Sequence, residues 1–107
     1  MMRTNIITQL TSETVIVPVG IVTLGILLTS TVITKCQSVL LYSPLGDGIY
    51  TNNTLPIMIG GRQVAAAVGF PLRPGQTIYI EILDLVNVFV FEPTGAGTQI
   101  LVVTVSR

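Results

Sequence analysis

The sequence predicts an all-β fold: a small antiparallel β-sandwich or jelly-roll-like barrel with an extended N-terminal arm. Three observations lead there. Apolar residues recur every second position in Thr77–Ile82 (Ile78, Ile80, Ile82), in Val86–Phe91 (Val86, Val88, Val90) and in the apolar run Gln99–Val105. That period puts alternate side chains on one face of a strand. Pro, Gly, Asn and Asp cluster between short apolar runs, as turns between strands require. No apolar run keeps a helical period beyond two turns, and the runs are rich in β-branched residues, which lose χ1 freedom in a helix and suit strands.

Taken in order, residues 1–12 form a polar arm, with Ile6-Ile7 its one aliphatic pair. The arm has no core-forming period and is expected to lie on a neighbouring subunit, with Met1, Met2, Arg3, Ile6 and Ile7 in contact. The remainder, 13–107, is one β-domain. Its first strands are expected at Thr14–Val17, Ile21–Thr29, Val32–Thr34 and Ser38–Tyr42. The uncharged stretch Val15–Thr34 is long enough to span a bilayer. It holds Pro18, Gly20, Gly25 and five hydroxyl residues, and Val22, Leu24, Ile26 and Leu28 alternate, so an amphipathic β-hairpin is expected there rather than a membrane helix. The chain opens on Met1, so no signal peptide is expected to have been removed.

Ser43-Pro44-Leu45-Gly46-Asp47-Gly48 is a turn cluster that continues as a long loop to Thr54. Long loops make contacts, so Tyr50, Asn52 and Asn53 join the candidate interface residues. Leu55–Ile59 is a short strand stopped by Gly60-Gly61. Val64–Val68 reads as a helical turn or an extended edge, and Gly69–Gln76 as a rigid turn segment in which Pro71 and Pro74 forbid a helix. The last three strands follow with short connections and are expected to form an antiparallel meander. Val88-Phe89-Val90-Phe91 is uncharged and β-prone, a run that aggregates unless both faces are covered. It is either a central strand or, through Phe89 and Phe91, part of an interface.

Half of the residues are apolar, 9% are charged, and the net charge is zero. An ordinary domain carries about 25% charged residues. No long-range field draws the chain to nucleic acid or to an anionic membrane. So few charges leave much surface neutral, and partners are expected to cover it. Histidine is absent and Cys36 is the single cysteine. No intramolecular disulfide and no His/Cys zinc site can form, and the usual base for a Cys or Ser nucleophile is missing. Cys36 reads as a small buried filler. Gly95-Ala96-Gly97 and Gly60-Gly61 lack the helix and the Gly-Lys-Ser/Thr of a phosphate loop. Asp47 stands alone where calcium needs several oxygens. Of the one close acid pair, Glu81 should face outward and Asp84 should cap a turn. Asn52-Asn53-Thr54 fits the glycosylation pattern, which is frequent by chance. No catalytic, cofactor or metal residue is expected.

The order of elements from Leu55 to Arg107 carries a resemblance. Leu55-Pro56-Ile57-Met58-Ile59-Gly60-Gly61 is followed by a Val-containing spacer and by Gly69-Phe70-Pro71-Leu72-Arg73-Pro74-Gly75-Gln76. Thr77–Ile82, Asp84-Leu85, Val86–Phe91, a Gly-containing turn and a last apolar strand complete it. This half resembles small β-domain structural proteins of tailed bacteriophages. The first half fits loosely, through Ser38-Val39-Leu40-Leu41-Tyr42, and the loop before Leu55 is longer than in that pattern. The resemblance implies a non-enzymatic virion component on the capsid surface. It would be a head decoration (cement) protein, a homo-oligomer and foremost a homotrimer, whose partner is the major capsid protein, without nucleic acid or membrane. A neck, tail or fibre component and a β-sandwich module binding carbohydrate or protein are the alternatives. A carbohydrate platform would have only Tyr42, Tyr50 and Tyr79 to use.

Overall fold

The computed structural model describes residues 10–18, 20–28, 35–45, 53–61, 63–64, 69–93 and 99–107. Its strands are β1 (Leu10–Ile16), β2 (Val22–Thr23), β3 (Ser38–Tyr42), β4 (Ile57–Gly60), β5 (Phe70–Leu72), β6 (Thr77–Ile80), β7 (Phe89–Phe91) and β8 (Ile100–Ser106). A single helical turn, α1 (Leu24–Leu27), follows β2, and a 3₁₀ turn at Leu85–Asn87 precedes β7. The fold is all-β, in two four-stranded antiparallel sheets. The first sheet runs β1-β8-β3-β6 and the second β2-β7-β4-β5.

The pairings have a simple logic. β1 pairs with β8, β2 with β7, β3 with β6 and β4 with β5. These pairs nest inside one another, as in one long hairpin whose tip is the β4–β5 connection. The further pairs β3·β8 and β4·β7 wrap that hairpin onto itself. This is the strand order of a jelly roll, in which two Greek keys share eight strands. Alternation supplies the core: β8 buries Leu101, Val103 and Val105 and turns Ile100, Val102, Thr104 and Ser106 the other way. Val15, Val39 and Leu41 of the first sheet meet Ile57, Ile59, Leu72 and Val90 of the second in one apolar cluster, with Ile78 and Ile80 packed against it.

Four expectations are corrected. The arm was expected to reach Ser12, but Leu10, Thr11 and Ser12 are the first residues of β1, paired to Ser106, Val105 and Thr104. Hydroxyl side chains serve a strand as well as aliphatic ones where one face is open. Residues 1–9 lie outside the described residues, as does the strand expected at Val32–Thr34. The expected strand Ile21–Thr29 stops after Thr23. Thr23 caps a helical turn: its Oγ1 accepts from the Gly25 N–H at 3.3 Å and donates to the Leu85 carbonyl at 3.0 Å. The spacing becomes i, i+4, so Leu24 and Leu28 are buried while Ile26 is 73% exposed. Among the described residues no helix is long and apolar enough to cross a membrane.

The third correction concerns Phe70-Pro71-Leu72, expected as turn and found as β5, paired to β4 with Pro71 opposite Met58. Proline lacks an N–H and fits a sheet edge, which is where β5 lies. Gly69 introduces it at φ +129°, where a Cβ would come within 2.9 Å of the Ile59 carbonyl oxygen. The fourth is the terminal meander. β6 and β8 belong to the first sheet and β7 to the second, so none of the three is hydrogen-bonded to the next in sequence. Asp84 accounts for the crossing. Its carboxylate accepts from the Val86 N–H at 3.2 Å and starts the 3₁₀ turn that carries the chain to the other sheet.

Candidate interaction surface

The face of the first sheet that points away from the core is built by strand register. Leu10, Ser106 and Ser38 form one row across the strands; Ser12, Thr104, Leu40 and Tyr79 form the next. Thr14, Val102, Tyr42 and Thr77 follow, and Ile16 with Ile100 closes the face. No residue in these rows carries a charge. Ser12 and Thr104 share a hydroxyl hydrogen bond of 3.1 Å across the β1–β8 pair. Leu10, Ile16 and Tyr79 are each at least 60% exposed, and Leu40 is exposed between Thr104 and Tyr79. Glu81, one step beyond Tyr79 and exposed, marks the rim. The face covers on the order of 400 Å², from a strand spacing of about 4.8 Å and a rise of about 3.4 Å per residue. A neutral surface of aliphatic, hydroxyl and phenol groups can meet another protein without stripping water from ions.

The second sheet covers part of its own outer face. Met58 and Val64 are buried there outside the main core, and a Cβ on Gly60 would touch Val64 at 3.2 Å. Phe89 and Phe91 lie on this face, each half-buried, opposite Gly60 and Met58. Asn53, expected at an interface, is a correction: it is 1% exposed and locked into the fold. Its Nδ2 donates to Ser43 Oγ at 2.8 Å and to the Ile100 carbonyl at 2.6 Å, while its Oδ1 accepts from the Ile100 N–H at 2.8 Å. The amide thus mimics a neighbouring strand and satisfies backbone groups that burial would otherwise leave unpaired. Gln99 Oε1 accepts from the N–H groups of Thr54 and Leu55 and completes the pin. Met1, Met2, Arg3, Ile6, Ile7, Tyr50 and Asn52 lie outside the described residues.

An open depression of about 590 Å³ is lined by Gln37, Glu81, Ile82, Leu83 and Asn87. Beside it, Lys35 Nζ and Asp84 Oδ2 pair at 2.9 Å. Cys36 is buried, as expected, and its thiol donates to the Ile82 carbonyl at 3.1 Å. Burial pushes the thiol's pKa up, against the pull of Arg107 and with a smaller push from Asp84. The thiolate, the reactive form, is therefore disfavoured. Comparison with protein-family models, with curated proteins and with solved structures finds no match.

The sheet face is hidden in the sequence because its parts are far apart in the chain: Leu10 lies beside Ser106, 96 positions further on. A signal was present in Leu10-Thr11-Ser12-Glu13-Thr14-Val15-Ile16, where apolar residues mark both ends of one face. Ser and Thr at its centre hide the alternation.

Proposed function

We propose that the chain is a non-enzymatic virion component, a decoration or cement protein that attaches to the outer lattice of a bacteriophage head and stabilises it. The observation that carries this reading is the charge-free outer face of the first sheet. Each copy offers on the order of 400 Å² of it, below the roughly 800 Å² that one partner of a standard interface buries. One such contact is weak. On a repeating shell, copies held at high local concentration add their contacts by avidity. The resemblance of Leu55–Arg107 to small phage structural domains supports the same reading, as does the jelly-roll strand order, an architecture that viral capsid domains use among others.

The test is the copy number and position of the chain in purified particles, by quantitative mass spectrometry and antibody labelling. Many copies spread over the head are expected. A handful confined to the neck or tail would select the tail-component alternative, and absence from particles would overturn both. A Leu40→Lys variant that stays folded should lose its place on the head, because a lysine would enter the centre of the neutral face.

A further inference from the structure

We infer that the edge of β1 that no described strand pairs with pairs with β1 of a second copy, antiparallel and about a twofold axis, joining the two first sheets into one eight-stranded sheet. The four sheet edges among the described residues differ in how they resist such pairing. β5 carries Pro71, β2 is two residues long, and β6 is four residues long. β1 has seven residues with no Pro, Gly or Lys, and its exposed ends Leu10 and Ile16 are aliphatic. A long edge without Pro or Lys is a template for another strand.

Charge selects the register. Glu13 is the one charged residue of β1, and it lies on the same side of the strand as Thr11 and Val15. Pairing centred on Glu13 would set two carboxylates opposite each other, which is unfavourable. Pairing centred on Ser12 sets Glu13 opposite Thr11 of the second copy. Thr11 Oγ1 accepts a hydrogen bond from Arg107 Nη1 at 3.1 Å within its own chain, so each Glu13 meets the other copy's guanidinium, twice by symmetry. On the other face Leu10 falls opposite Thr14 and diagonal to Ile16 of the second copy, within reach of an aliphatic contact. A twofold edge closes as a dimer, in place of the trimer that the resemblance implies. Pairing also makes the two neutral faces continuous, with about 800 Å² in all, the area a standard interface takes from one partner. The inference stands on the edge alone and does not depend on where the protein works.

The experiment uses the full chain. Sedimentation at micromolar concentration should show a dimer. Glu13→Lys and Arg107→Glu should each weaken it by about tenfold or more, and the charge-swapped double variant should restore it. In a Cys36→Ala background, Ser12→Cys should form a disulfide-linked dimer under mild oxidation. Opposed residues in an antiparallel pair have Cα atoms about 4.5–5.5 Å apart, within disulfide reach. Thr14→Cys should not crosslink, because its counterpart is four residues away along the pair, about 14 Å. Circular dichroism separates loss of pairing from loss of fold, and the Ser12→Cys crosslink reads the register even if a charge variant unfolds. A monomer at all concentrations, a trimer, or crosslinking through Thr14→Cys instead of Ser12→Cys would overturn the inference.

Discussion

Asn53 shows how much of this fold a single polar side chain can hold. Its amide occupies both the N–H and the carbonyl of Ile100 and also reaches Ser43, at a site with almost no access to water. Asn53→Ala leaves those groups without partners and is expected to cost about 2–3 kcal/mol, read from urea unfolding. An Asn53→Asp variant keeps the acceptor toward the Ile100 N–H but loses the donor toward its carbonyl, and it should not rescue the loss. Cys36 gives a pH signature. Its pKa is raised in the fold, mainly by burial, so the thiol's contribution is fully present below the ordinary thiol range. It is lost as pH rises through that range toward the higher folded value. Wild-type stability should therefore fall more steeply than that of Cys36→Ala between about pH 8 and pH 10. Parallel curves would mean that the thiol ionises as freely in the fold as outside it.

At the scale of elements, strands that a clean period of two announces were legible, and those set by tertiary context were not. Ser38–Tyr42 was found with its expected bounds, and Asp84 caps a turn as its side chain suggested. Ile78 and Ile80 face the core and Glu81 faces out, as the alternation required. What alternation cannot carry is partner choice. Short connections after β6 and before β8 suggested neighbours, yet one 3₁₀ turn moves β7 to the other sheet. The candidate face was illegible for the same reason, since it exists only once the first strand lies beside the last. Two connections allow direct tests. Arg73-Pro74-Gly75-Gln76 forms a type II turn, with the Gln76 N–H bonded to the Arg73 carbonyl at 3.0 Å and Gly75 at φ +88°. Gly75→Ala should destabilise by more than about 1 kcal/mol, because a Cβ is strained there. Thr23→Ala removes the cap of α1 and the bond to the Leu85 carbonyl, and should cost about 1 kcal/mol. Thermal melts of both variants check these values.

For the whole molecule, the nested pairing sets the first and last strands of the described domain side by side. The consequence for function is a surface that owes its neutrality to that closure, because β1, β8, β3 and β6 each contribute uncharged positions to one plane. Charge-dependent attachment is weakened by salt, since the Debye length falls from about 10 Å at 0.1 M to about 3 Å at 1 M. Attachment through a plane without charges has no such lever, and burial of its apolar groups does not weaken as salt rises. On the proposed role as a decoration protein, occupancy of wild-type protein on stripped and re-decorated heads should thus change by less than about twofold between about 0.05 and 1 M sodium chloride. Thr104→Lys sets an ammonium at the centre of the plane, on an inner strand of the first sheet and beside Ser12 and Leu40. That variant should bind less at every salt concentration, and its binding should become salt-dependent. A steep salt dependence of the wild type would move the attachment surface off this sheet and onto a charged part of the molecule.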